Sequence, residues 1–342
     1  MGSSYPGRNM WIGLGIQNGL AAGTASGATV FTYFEPTEVG GFLEEFAMQE
    51  SQRRLGTRFK GKSYLGTKQV PASFSVELNA DNCGRIFAAG MGAESVTVGV
   101  TSEAATHDFT FAETLPYLTV YCYAAGVADS SGNDKTIRAL NCKVKTMALT
   151  GGLEGPMTLA VELVGTARSI VTSPTTTFTT VDPLFLSSEE GTGTLSLGAT
   201  IGAAAAFDES REFELNIDNG VDADHRIDGS ATPAAIREGA SSITGRLGCV
   251  YNDTTWTEID IFSACTDRAI KLVAVAPEAF ITGYSYTVTI ESHINRYTGS
   301  PPSWDPDVIS VDLPFTAEAG TSSEVFTISV INDDVVAYTH TA

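Results

Sequence analysis

At 342 residues the chain is long enough for two domains, and its net charge of −20 opposes tight binding to a phosphate backbone, which rewards Lys and Arg. The charge is uneven: residues 1–170 hold 13 Lys/Arg against 15 Asp/Glu, whereas residues 171–342 hold 7 against 25, so the second half should present an acidic surface. Only 18% of residues are charged, below the usual share, and Thr, Ser, Gly and β-branched residues abound, a composition that favours sheets and loops.

Residues 1–40, with Gly at 13, 15, 19, 23, 27 and 40, read as an N-terminal arm that needs a partner to order it. Its apolar stretch MWIGLGI is too short for an export signal, and no apolar run in the chain approaches the roughly 18 residues of a membrane span. GLGIQNG (13–19) has its third Gly one position late for a dinucleotide fingerprint, and no βαβ pattern surrounds it.

From residue 70 the segments VPASFSVEL, SVTVGVT, HDFTFAE, YLTVYCYA, LNCKVKTMAL and MTLAVELVGT read as antiparallel strands parted by turns. NADNCGRIFAAGMG (79–92) predicts one helix, capped by Asp81 or Asn82 and ended by Gly90, with Ile86, Phe87 and Ala89 inward. SIVTSPTTTFTTVDP (169–183), rich in Thr and Pro, separates the halves, giving a first β domain over 41–174 and a second over 175–342. In the second, TTWTEIDIFSAC (254–265) predicts a helix capped by Thr254 or Thr255, with Trp256, Ile259, Phe262 and Ile261 on its apolar face.

The halves echo one another. TLAVELVGTA (158–167) and VISVDLPFTA (308–317) match at an offset of 150, and VELNADN (76–82) and FELNIDN (213–219) at an offset of 137. SFSVELNADN can also be laid on SITGRLGCVYND (242–253), so a duplicated β module is better supported than any one alignment of it. The expected fold is mainly β: two tandem antiparallel β-sandwich or barrel domains, each with one short flanking helix.

No catalytic constellation emerges. The four histidines lack metal-binding spacing, and the carboxylate pairs are adjacent in sequence, so they point to opposite faces of a strand. DNGVDADHRIDG (218–229) gathers Asp218, Asn219, Asp222, Asp224 and Asp228, but lacks the ligand register of a calcium loop and reads as a solvated turn. Cys83, Cys122, Cys142, Cys249 and Cys265 are odd in number and widely spaced, as buried free thiols would be in a reducing compartment. No enzyme activity, cofactor or metal is expected.

One charged segment stands out: SQRRLGTRFKGKSYLGTK (51–68) carries six basic side chains and no acid. It suits contact with an acidic surface, which this chain itself owns. The expected contact residues are Arg53, Arg54, Arg58, Lys60 and Lys62, with Phe59 and Tyr64 as apolar anchors.

WIGLGIQNGLAAGTA, QRRLGTR, KQVPASFSVELNADNCGRIFAAGMG, HDFTFAETLPYLTVY and ASSITGRLGCVYNDTTW together resemble the major tail tube proteins of long-tailed bacteriophages. The resemblance implies a structural virion protein that stacks as rings into a hollow tail for genome ejection. It would be assembled in the host cytoplasm and partnered by itself and by other tail proteins. DNA would pass without tight binding, and no membrane would be involved. Many such proteins have one tube domain per chain and six chains per ring; two domains here imply three chains and a pseudo-hexameric ring. The alternative is a tandem β-sandwich surface or adhesin protein, and a carbohydrate-acting β enzyme ranks behind it.

Overall fold

The computed structural model describes residues 10–17, 30–50, 63–100, 103–128, 134–172, 174, 182–188, 191–299, 302–304, 309–318 and 326–338. These form a mainly antiparallel β structure with two short α-helices among the described residues. The first half contains β1 (Met10–Ile16), β2 (Thr32–Phe34), β3 (Glu38–Gly41), β4 (Glu45–Glu50), β5 (Ser63–Glu77), α1 (Cys83–Met91), β6 (Gly92–Val98), β7 (Ala105–Phe111), β8 (Leu118–Ala128), β9 (Asp134–Gly152), β10 (Thr158–Gly165) and β11 (Ala167–Thr172). The second half contains β12 (Ser187–Ser188), β13 (Gly191–Gly198), β14 (Ala205–Ala206), β15 (Ser210–Asp218), β16 (Asp222–Asp224), β17 (Ala235–Arg237), β18 (Ser242–Val250), α2 (Asp253–Ser263), β19 (Arg268–Ile281), β20 (Tyr284–Tyr297), β21 (Pro302–Trp304), β22 (Ile309–Ala317) and β23 (Phe326–Asn332).

The alternating segments became strands because alternation places every second side chain on the buried face. In β10, Leu159, Val161 and Leu163 are buried between β5 and β9, with Val161 opposite both Phe74 and Met147. The strands of the first half pair in the order β2-β1-β8-β9-β10-β5-β3, with β11 continuing β10 along the same edge of β9. In the second half they pair β14-β13-β19-β20-β22-β18-β15, and β23 joins β22 along one edge of β20. Two seams join the halves, β15 on β9 and β23 on β7, and one apolar core runs through both. The division expected at 174/175 adjoins residues 175–181, which lie outside those described.

Residues 10–17 depart from the expected arm. β1 pairs with β8 along its whole length, and Ile12 and Leu14 have no exposed surface. Glycines at 13 and 15 suggested a flexible segment, yet Gly13 is required because a Cβ there would lie 2.7 Å from the Tyr33 ring. Gly13 lets the Tyr33 ring cover the second face of the strand. GLGIQNG accordingly begins in a core strand, and its last residues lie outside those described.

The helices form where expected; α1 starts after Asn82, one of its two expected caps, and the other foreseen ends differ. Gly92, not Gly90, terminates α1: its φ of 87° is left-handed, and its N–H donates to Ala88 O. Gly90 instead makes room for the Met147 thioether. Every residue of α1 is buried. Asn252, not Thr254 or Thr255, caps α2 by accepting from Thr255 N at 3.0 Å. Its buried residues are Thr255 and Glu258, whereas Trp256 is 50% exposed; Ile259, Ile261 and Phe262 pack on the core from half-buried positions. Glu258 turns inward because Arg268 donates to it at 2.5 and 3.0 Å and the Tyr297 hydroxyl at 2.9 Å. Burial, then the Glu258 charge, pushes the Tyr297 hydroxyl far above its ordinary pKa. The thiols differ from expectation at one position: Cys83, Cys122, Cys142 and Cys249 are buried, and Cys265 is exposed in a left-handed turn.

Candidate assembly surface

Of the expected contact residues, Arg53, Arg54, Arg58, Phe59, Lys60 and Lys62 lie outside the described residues. Tyr64 is described, on the distal part of β5 opposite Gln49 of β4. β4 and distal β5 make a two-stranded ribbon beyond a bend at Gly41 and Phe42, both at positive φ, where Phe42 stays buried and its N–H donates to Pro71 O. Met48, Tyr64 and Leu65 on this ribbon are 60, 51 and 67% exposed. An isolated two-stranded ribbon is marginal in water, and clustered exposed apolar side chains mark an interaction surface. The exposed apolar side chains of this ribbon other than Tyr64 were not foreseen from the sequence.

The ribbon is held at its base by two contacts. Lys68 Nζ pairs with Glu44 at 3.2 Å, and Lys68 N–H donates to Ala231 O in the connection between β15 and β18. That connection, residues 219–241, contains the small sheet β16–β17 and is seated on the first half. Buried Asn219 donates through its backbone to Lys145 O and through its amide to Gly90 O and Val144 O. Val221 and Ile236 pack with Leu115, Tyr117 and Val164 in a separate apolar cluster. Glu238 accepts from Leu115 N–H at 3.0 Å and pairs with Lys143, whose buried ammonium stands 4.2 Å from the centre of the Tyr117 ring. Nothing in the sequence pattern pointed to this pair, because its partners are brought together only by the β9–β15 seam.

The acidic side chains of 218–229 are engaged locally. Asp218 and Asp228 accept from the N–H groups of Gly220 and Ser230, and Asp224 pairs with Arg226 and Arg237. Among the described residues, no three metal-ligating side chains converge. On the sheet surface Arg246 gathers Glu212, Glu214 and Asp312 at 2.6–2.9 Å. Its hydrogen bond to Glu214 holds that carboxyl below the ordinary range. The cluster fixes side chains across β15, β18 and β22, and places no nucleophile beside a base.

Residues 12–317 match the family model of the phage tail tube protein, which spans the β9–β15 seam, both helices and the 219–241 connection. The chain belongs to this family. It is therefore a β-rich structural component of the virion tail, as the sequence resemblance implied. No curated protein matches this tail tube protein. The family role is architectural, so its functional surfaces are those through which copies meet.

Proposed function

We propose that this tail tube protein polymerises into stacked rings that form the conduit for DNA ejection, with two tube modules per chain and three chains per pseudo-hexameric ring. The match over residues 12–317 carries the reading. Two modules are supported by the repeated pairing order, in which β5 stands to β10 as β18 stands to β22, each followed by a helix. That order lays β5 on β18 and sets aside the offset of 137, because FELNIDN belongs to β15, the strand at the seam. Modules in closed rings present the same edge to the next around the axis, and rings stacked head to tail extend into a tube. An acidic inner wall would repel DNA and let it slide. Subunits would assemble in the host cytoplasm and meet other tail proteins at the tube ends.

The basic segment Arg53–Lys62 docks, on this reading, on the acidic second half of another copy. Electron microscopy of the purified protein tests the reading: tubes or rings of three chains are expected, six chains per ring would refute the trimer, and monomers under all conditions would refute the polymer. Arg53→Glu, Arg54→Glu and Arg58→Glu together should slow polymerisation in light scattering, most at low salt.

A further inference from the structure

Residues 333–338 follow β23 and cross from the second half onto the first without joining a strand. Tyr338 anchors them. Its ring is 4% exposed, with the His107 ring of β7 4.9 Å away and the Arg85 guanidinium of α1 5.2 Å from its centre. Gly84 makes this possible, because a Cβ there would stand 2.3 Å from the Tyr338 ring. Asn332 fixes the turn: its amide donates to Ala80 O and to the Tyr338 hydroxyl, and its carbonyl accepts from Asp334 N–H. Between these anchors Val335 and Val336 are 37 and 67% exposed. The segment is a strap held near its two ends.

The grip on Asp334 needs a proton. His107 has no exposed surface, and its nitrogens face acceptors on two different elements, Glu94 of β6 at 2.7 Å and the Asp334 carbonyl of the strap at 2.6 Å. The charges around the ring are the Glu94 and Asp334 carboxylates and the Arg85 guanidinium, which faces both of them and Tyr338. Burial keeps the Tyr338 hydroxyl protonated, with Asp81 and Cys83 at the start of α1 acting on it in the same direction. Asp108, the next residue of β7, accepts from Ser329 Oγ on the other face of the strand. With His107 protonated, two positive charges match two carboxylates. Once the ring is neutral, one excess negative charge remains, and one acceptor faces a nitrogen without hydrogen, both costly away from water. The strap carries two of these groups, the carbonyl and the carboxylate of Asp334. Moving it into water relieves both, whereas Glu94 is fixed by the β6–β7 ladder.

We propose that residues 333–338 are a proton-operated latch on the joint between the two halves, closed over α1 and β7 while both His107 nitrogens carry protons and released when one proton is lost. β23 pairs with β7 where the strap begins, Val330 opposite His107 and Asn332 opposite Ala105, so the latch sits at one of the two seams. Burial alone would discharge the ring, but the hydrogen bonds to Glu94 and Asp334 outweigh it and raise its pKa, which puts release on the alkaline side of about 6.5. The device belongs to the single chain and does not rest on the polymer reading.

Exposed Val336 accepts a probe. In a chain carrying Cys265→Ser and Val336→Cys the remaining thiols are buried, so a thiol-reactive fluorophore at 336 reports strap mobility through its anisotropy. Anisotropy is expected to fall along a one-proton curve centred above about pH 6.5, with far-UV circular dichroism constant and the His107 ring resonances titrating at the same midpoint by NMR. Glu94→Gln removes the carboxylate that favours the charged ring and should move the midpoint to lower pH; His107→Gln should abolish the curve. Anisotropy that stays flat between about pH 6 and about pH 10, a midpoint different from that of the His107 resonances, a curve that persists in His107→Gln, or circular dichroism lost together with the anisotropy overturns the latch. The resonance comparison uses the native His107 and decides the matter even where a substituted chain fails to fold.

Discussion

Removing the Glu238 carboxylate tests how the 219–241 connection is held on the first half. In Glu238→Ala the Lys143 ammonium, 2% exposed, loses its counterion, and Leu115 N–H loses its acceptor. Stranding one member of a buried ion pair costs about 3–5 kcal/mol. The Glu238 side chain is 21% exposed, so water reaches the vacated site and the lower end, about 3 kcal/mol, applies. Lys143→Met keeps the packing over Tyr117 and leaves a carboxylate that water can reach, so it should cost about 1 kcal/mol, near a net hydrogen bond. The double variant should then cost less than the sum of the two, with a coupling of about 1–2 kcal/mol, because no charge is left stranded. Urea unfolding of the unassembled subunit, followed by circular dichroism, measures all three. A Glu238→Ala loss below about 0.5 kcal/mol, or strict additivity, would show that the pair does not hold 219–241 in place.

Three other outcomes follow from single sites. His107 Nδ1 lies 2.7 Å from a Glu94 carboxylate oxygen and Nε2 lies 2.6 Å from Asp334 O, two acceptors that both require a proton on the ring. Burial lowers its pKa, but the hydrogen bonds to Glu94 and Asp334 outweigh that and leave it raised, so the stabilisation is complete below the unfolded value of about 6.5 and is lost as pH rises through the folded value. Unfolding free energy should fall over that rise in the native chain and stay flatter in His107→Gln; equal slopes would refute the charged pin. Gly245→Ala would drive a Cβ into the Phe315 ring and to 2.6 Å from Glu214 O, so a loss of about 3 kcal/mol is expected in the same urea titration, and a neutral result would mean that β18 shifts freely. A disulfide-exchange reagent at pH 8 should titrate one thiol per folded chain, Cys265, and five after denaturation: burial raises Cys122 to about 11 and Cys142 and Cys249 to about 12.

Strands with one buried face were legible because alternation is a local signal: β10 and β22 could be read directly, and both prove to lie between two partner strands. β1 was misread because its glycines carry no pattern of their own; the Tyr33 ring that covers Gly13 comes from a different strand. The inward face of α2 was legible for Ile259, Ile261 and Phe262, which pack on the core, but Trp256 proves exposed and Glu258 was missed. Glu258 is apolar in effect only because Arg268 and Tyr297 neutralise it, and Tyr297 lies 39 residues away. The basic run 51–68 is legible by composition, but its expected contact residues other than Tyr64 lie outside those described, and the Lys143–Glu238 clamp depends on register across a seam.

Composition and geometry divide the work at the proposed junction. A surplus of acid in the second half makes copies repel at long range, and the proposed docking of the basic segment on the acidic second half of another copy would offset that repulsion in one orientation. Exposed ion pairs are each worth about 0–1 kcal/mol, so they set approach and register rather than hold the ring. Covering Met48 and Leu65, cross-strand neighbours on one face of the ribbon, would stabilise such a junction more, by about 1.5–3 kcal/mol for each fully covered large apolar side chain. Raising salt screens the long-range repulsion and the docking pairs alike, so it should alter how rings nucleate without dissolving those already formed. Replacing Leu65 by Ser should do the reverse, leaving early association rates near normal while rings fall apart on dilution. Light scattering after salt jumps and after dilution separates the two, and a Leu65→Ser protein whose rings persist as long as the native ones would remove the apolar ribbon from the junction.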